Sequence, residues 1–445
     1  MAGLATLSCY CCLLNALLGL GVFNVRERFV SLGQPLATLL VTVVAGVTFA
    51  AARQILALAG VPEKEAAQLD GPRETRESLL GKTKSSVSMV RYDIPELPGL
   101  VQIAFGQSWW RTSVAFASLL LCVIYLVQVC ISLAYHFAYY LSLASRESEN
   151  WFWWTLLGFV LVLMIGNCFS IKQIQLGHVI AALLRFVFIG LLITLHPTNY
   201  TDADSSSNSL CSLLALPILL IAFQYQVTLP QVVNIFSPGA AVNLQGWVVG
   251  SAWALSMLIG WAVGIKSNLL AVYCDQQFWS EHLWVPRVCQ VLISVHLLSC
   301  AHIHFRVLGG ILIGKVYDPN LEYARDTHSY GVRFIYLALP PLLCSFIPFD
   351  YLMNLNILRN SEEGVDSAAV VTLVLVFLVL PYCYLKQRGQ RIGWLERVGI
   401  YVQYLLLLTG LLIAVVNQKT HFAILLSLSS AGVMLLLLLF EFISR

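Results

Sequence analysis

An all-α integral membrane fold of eleven or twelve transmembrane helices is what this sequence predicts, and three observations predict it. Of 445 residues, 58% are hydrophobic. Only 26 Lys+Arg and 23 Asp+Glu accompany them, 11% of the chain against roughly 25% in an ordinary soluble protein. The apolar residues are also gathered into windows long enough, or nearly so, to cross ~30 Å of hydrocarbon as helices. So few charges cannot cover the exterior of a soluble fold of this size. A soluble enzyme, a nucleic-acid binder and a disordered protein are therefore excluded, and the lipid bilayer becomes the chain's first partner.

The windows can be taken in order. The first, 4–23, has no basic residue before it and no cleavage pattern after it, so it reads as a retained helix rather than a signal peptide. Arg26 and Arg28 separate it from the second, 33–58, and residues 1–58 thus hold helices 1 and 2. The long hydrophilic stretch 59–111 contains Pro62, Pro72, Pro95 and Pro98. Its first half reads as a linker, and the apolar run from Pro98 to Gly106 as a short helix on the membrane surface. Windows 112–143, 152–170 and 177–195 make helices 3 to 5, filling residues 112–195. Beyond a polar turn, 211–236, 244–265, 287–313, 333–353 and 367–385 make helices 6 to 10, filling residues 211–385. Windows 398–416 and 420–440 are peripheral helices 11 and 12, filling residues 398–440.

Sorting the loops into alternate sets puts eighteen Lys/Arg on one side and seven on the other. By the positive-inside rule the richer set, which includes both termini and the 59–111 stretch, is cytoplasmic. The glycosylation acceptor Asn199-Tyr200-Thr201 falls in a loop this count places outside. Most of the twelve cysteines lie inside apolar runs, where Cys acts as a small hydrophobe. Cys9, Cys11 and Cys12 are followed by no His or second Cys pair at ligand spacing, so neither a metal site nor a cofactor is expected.

An intact helix satisfies its own backbone, and a broken one is tolerated in a bilayer only where it is buried or lines a cavity. Two windows carry the residues of a break. In the first, Asn15 through Phe23 sets Gly19 and Gly21 and a polar amide in the outer half of the helix. In the sixth, Pro217 precedes the polar cluster Phe223-Gln224-Tyr225-Gln226-Val227-Thr228, with Pro230 behind it. Glycine lets the backbone unwind, and proline removes a hydrogen bond. The same glycines also suit close helix packing, and Pro230 a simple kink. First and sixth are nevertheless equivalent positions in two inverted five-helix repeats, an arrangement by which secondary transporters build a midplane site.

At these residues the chain resembles the amino acid/auxin permease family, a branch of the amino acid–polyamine–organocation superfamily. Asn15 to Phe23 are similar to its Asn-x-x-x-Gly-x-Gly pattern in helix 1, and Phe105-Gly106 to its pair before helix 3. Phe223-Gln224-Tyr225-Gln226 resembles its helix 6 signature, and Leu380-Pro381-Tyr382-Cys383-Tyr384-Leu385-Lys386 the end of its helix 10. Two features depart from the family. Asn24-Val25-Arg26-Glu27-Arg28 stands where a small residue and proline are usual, and 420–440 would add a span to the usual eleven.

The resemblance implies a site made mainly of backbone. Amides at Gly19, Leu20 and Gly21 would hold a substrate carboxylate, and carbonyls of Phe223 and Gln224 its amino group, with Asn15 and Tyr225 completing the binding set. Asn15 matches a position that serves the ion site of sodium-coupled relatives together with a helix 8 hydroxyl, here Ser294 or Ser299. Either serine equally suits a bond to its own helix carbonyl. His296, deep in helix 8, instead suits a proton relay, while His302 and His304 lie nearer the cytoplasmic end beside Arg306. Arg185, the one basic residue well inside a window, reads as snorkelling to the interface in preference to a substrate role.

No acidic pair, His-rich box or nucleophile with a nearby base stands in a span, so the chain does not read as an enzyme. It reads as a secondary active transporter of amino acids or related small solutes coupled to Na⁺ or H⁺, in the plasma membrane or an endolysosomal or vacuolar membrane. The second reading is a transporter-like nutrient sensor that signals through residues 59–111.

Overall fold

The computed structural model describes residues 2–19, 25–58, 97–105, 148–169, 171–194, 219–220, 222–223, 225–236, 238–262, 284–316, 380–381, 383–385 and 393–416. Among them the secondary structure is helical, without strands. The expected helices 3, 9 and 12 (112–143, 333–353 and 420–440), most of helix 10, the loop from 59 to 96 and the sequon at Asn199 lie outside the described residues.

The first window behaves differently from a single helix. Helix α1 (Ala2–Leu17) ends with Leu18 and Gly19 in a turn, and α2 (Val25–Leu32) begins inside the charged segment that the sequence reads as a loop. Val25, Arg28 and Phe29 are all buried. The segment enters the fold because Arg26 donates to the carbonyl of Gly260 and Phe29 packs over the same glycine. A Cβ at Gly260 would lie 2.6 Å from the Phe29 ring, so only glycine admits it. Gly33, at φ 77°, ends α2 in the left-handed conformation that closes many helices. Pro35 then stands in the first turn of α3 (Gln34–Leu58), where its missing N–H costs nothing.

Helix α4 (Leu97–Phe105) forms where a surface helix is expected, but Leu97, Leu100 and Val101 are buried and the helix packs on α3. Helices α5 (Ser148–Cys168) and α6 (Gln175–Thr194) are joined by the turn 171–174, closed by His178 N–H to the carbonyl of Ile174 at 3.2 Å. The sixth window is divided: Leu219, Leu220 and Ala222 are helical, and α7 (Leu229–Phe236) begins after turns at Phe223 and at residues 226–228. Helices α8 (Pro238–Ala262), α9 (Trp284–Val316) and α10 (Trp394–Val416) complete the described set.

α1 is the hub, packed against α6, α7, α8 and α9. α8 lies on α2 and α3, where Trp253 and Trp261 each donate an indole N–H to a threonine of α3, Thr42 at 3.0 Å and Thr38 at 3.1 Å. A Gln54–Gln403 amide pair ties α3 to α10. α6 shows how the layers face. Leu176, Ile180, Leu183 and Val187 are exposed along one side, a surface suited to lipid, while His178, Ala181, Ala182 and Arg185 are buried along the other.

Candidate functional site

The end of α1 carries a polar network built by three helices. Asn15 lies in the last turn of α1, and Leu18 N–H closes that turn on the carbonyl of Leu14 at 3.0 Å. On α6, His178 and Arg185 share one face because they stand seven residues apart. On α9, His296, Ser299 and Cys300 share a face for the same reason, at spacings of three and four. These faces meet at Asn15. Arg185 donates from Nη2 to Asn15 Oδ1 at 2.6 Å and from Nη1 to the Leu14 carbonyl at 3.1 Å. Asn15 donates from Nδ2 to the His178 carbonyl and to Ser299 Oγ, both at 2.9 Å. Cys300 Sγ donates to the Asn15 carbonyl at 2.9 Å.

The histidines extend this network. Arg185 Nη2 also meets His296 Nδ1 at 2.6 Å. Since arginine has no acceptor, Nδ1 takes the hydrogen and the ring's own proton sits on Nε2. His296 is also hydrogen-bonded to the backbone of Leu18 and Gly19, which fastens the turn that ends α1. His178 Nδ1 lies 2.7 Å from Ser299 Oγ, and His178 Nε2 lies 3.3 Å from His302 Nδ1. His302 Nε2 reaches the carbonyl of Phe169, at the end of α5, at 3.3 Å.

The break in the sixth window is made differently. Phe223 N–H still bonds the Leu219 carbonyl at 3.1 Å, and the next helix starts from Tyr225, whose carbonyl accepts from Thr228 N–H, Leu229 N–H and Thr228 Oγ1. Tyr225 N–H is taken by the Gln226 side-chain Oε1 at 2.8 Å, and the Tyr225 hydroxyl donates to Gln245 of α8. Thr48 of α3 donates to the Phe223 carbonyl at 3.4 Å. Gln226 is 1% exposed, yet its Nε2 has no hydrogen-bond partner. A buried amide donor left open at a helix break is a group awaiting an acceptor. α1 and α7, each of which adjoins one of the breaks, pack together.

Of the residues the sequence singles out, Asn15, Ser299 and His296 come together, with Gly19 attached through His296. Phe223 and Tyr225 line the second break. Ser294 does not join: its Oγ bonds the Gln290 carbonyl of its own helix at 2.7 Å. Leu20, Gly21 and Gln224 lie outside the described residues. Arg185 corrects the sequence reading. At 2% exposure, with its guanidinium on Leu14, Asn15 and His296, it is a core residue and does not snorkel. His178 was missed, although its seven-residue spacing from Arg185 is a signal visible in the sequence. The orphan amide of Gln226 has no such signal. Among the described residues no three His, Cys, Asp or Glu side chains converge as a metal site.

No protein-family model matches the sequence, and no curated protein matches it. Solved structures do. The Eremococcus coleocola manganese transporter, in complex with an aromatic bis-isothiourea substituted compound, is similar over 98% of this chain and 92% of its own, with a TM-score of 0.57 at 12% identity. MhsT in complex with L-phenylalanine is similar over 96% of this chain and 98% of its own, with a TM-score of 0.55 at 15% identity. At such identities the likeness is one of fold. The chain has the helical, multi-pass membrane fold of these transporters.

Proposed function

We propose that the chain is a secondary active transporter of amino acids or related small solutes, driven by a Na⁺ or H⁺ gradient and working by alternating access. The observation that carries this reading is the packing together of two interrupted helices, α1 with its turn at Leu18–Gly19 and the sixth window with its turns at 223 and 226–228, inside a transporter fold. Interrupted helices place backbone donors and acceptors within the bilayer, and such groups are stable there only where a cavity or a ligand receives them. In this reading two inverted five-helix repeats form the core, as in the amino acid/auxin permease family. Gly19, Leu20 and Gly21 face the solute carboxylate, Phe223, Gln224 and Tyr225 face its amino end, and Asn15 holds the floor between them. Both termini lie in the cytoplasm, Asn199 carries a glycan, and the membrane is the plasma membrane or an endolysosomal or vacuolar one.

Uptake of labelled amino acids into proteoliposomes under imposed Na⁺ and H⁺ gradients tests the proposal. Accumulation of one class above equilibrium is expected. Neither accumulation nor exchange of any amino acid under either gradient would overturn it and leave the sensor as the reading to pursue.

A further inference from the structure

We propose that the coupling ion is a proton carried by the His178–His302 pair, and that Arg185 permanently fills the place a sodium ion would take; this deepens, and rests on, the transport reading above. The C-terminal end of a half-helix, with its free carbonyls and negative dipole end, is where a broken-helix transporter can hold a cation. At the end of α1 the oxygens of that place are the Leu14 carbonyl and Asn15 Oδ1, and both already receive the Arg185 guanidinium, at 3.1 and 2.6 Å. Arginine does not lose its proton in a protein. A sodium ion would need the same oxygens, beside a fixed positive charge in a medium that screens poorly.

The donor and acceptor roles around Asn15 then describe a directed chain. The Phe169 carbonyl can only accept, so with both rings neutral His302 donates from Nε2 and accepts at Nδ1, His178 accepts at Nδ1, and Ser299 Oγ, which accepts from Asn15 Nδ2, gives its own hydrogen to His178 Nδ1 at 2.7 Å. That sets the His178 proton on Nε2, aimed at His302 Nδ1, and the His302 proton on Nε2, aimed at the Phe169 carbonyl. Four consecutive bonds therefore run one way from the end of α1 to the end of α5. A proton added at His178 Nδ1 turns both ring nitrogens into donors. Ser299 must then accept from His178 and rotate its hydrogen away, as Ser294 already does toward its own helix. The proton load is felt at Asn15, on the half-helix that ends at the solute site, and a proton and a solute are thereby linked. His296 is removed from the relay, because its Nδ1 lone pair faces an arginine that can only donate.

The groups around the pair, among the described residues, are few. α6 brings Arg185, and α9 brings His296, Cys300, His304 and Arg306. His304 Nδ1 bonds the Cys300 carbonyl of its own helix, and Arg306 donates to the same Phe169 carbonyl that His302 reaches. α1 brings the Cys11 thiol, α5 brings Phe169 and Asn167, and the turn 171–174 carries Lys172. No carboxylate stands among them, so within this group the imidazole pair and not an acid is what can take up the proton.

The test uses wild-type protein in proteoliposomes with labelled amino acids, first in exchange without an ion gradient, then under an inward pH or sodium gradient. A pH step of one unit, at one proton per solute, is expected to drive about tenfold accumulation, unchanged when choline replaces sodium. A pH dye inside the vesicles should report proton entry on adding solute. Exchange together with sodium-driven, pH-independent accumulation would overturn this inference and leave the transport reading standing, whereas no exchange at all would remove that reading itself. In His302→Gln the accumulation and the solute-evoked proton entry are expected to vanish together, and wild-type values of both would also overturn the inference.

Discussion

The two helix breaks are built on opposite plans. At the end of α1 each polar atom named above meets a protein partner: Asn15 uses its oxygen and its nitrogen, and the Leu14 carbonyl receives both a backbone amide and Arg185. At the second break the backbone is tied by its own turns, and the Gln226 amide is buried with no acceptor. A closed network fixes a geometry and passes on a change of protonation, while an open donor costs stability until something binds it. On the proposed transport reading, the difference would separate two tasks, holding the ion-linked half-helix at the first break and receiving the solute at the second.

The strongest way to break that comparison is Arg185→Met. It leaves Asn15 Oδ1 and His296 Nδ1 without their arginine donor and takes one of two donors from the Leu14 carbonyl, and lost bonds at buried acceptors cost about 1–3 kcal/mol each. Uptake should be abolished and the melting temperature in detergent should fall sharply. A melting temperature equal to that of the wild type would mean the guanidinium does not hold the first break together. At the second break, Gln226→Glu keeps an oxygen for Tyr225 N–H but removes the open donor. The loss of one hydrogen bond from the open amide to a neutral solute acceptor, about 0.5–1.5 kcal/mol, should raise the solute KM about two- to tenfold. Concentration-dependent uptake measures this, and an unchanged KM would show that the orphan amide does not meet the solute.

The smallest effects come from two serines of α9. Ser299→Ala removes the link between Asn15 and His178 and should cost about 1–2 kcal/mol. Ser294→Ala, which removes only a bond to the serine's own helix, should stay within about 0.5 kcal/mol. Equal thermal shifts for the two would erase the distinction between a network serine and a bystander.

Much of the described fold was legible because apolar run length is a local property. The windows at 152–170, 177–195 and 244–265 correspond to α5, α6 and α8 without any tertiary information. The breaks were legible too, from Gly19 in one window and from the polar run before Pro230 in the other. What misled was charge. Arg26 and Arg28 read as a loop because a charged side chain in a membrane protein is assigned to water, yet Arg26 finds the Gly260 carbonyl and Arg28 is buried in α2. Arg185 read as snorkelling because depth along its own helix was the only coordinate at hand. Its partners come from two segments, each more than 100 residues away in sequence.

By itself, then, the sequence determined that the chain is a multi-pass helical membrane protein and where two of its helices give way, because hydropathy and helix-breaking act within a single segment. Only the tertiary structure decided that Arg185, and not a lipid headgroup or an outlying loop, closes the end of α1. It alone also decided that Ser299 rather than Ser294 joins Asn15, and that His178 stands between Ser299 and His302. Those choices depend on how each helix is rotated against its neighbours. That rotation is set by the packing of whole faces, which no single segment contains.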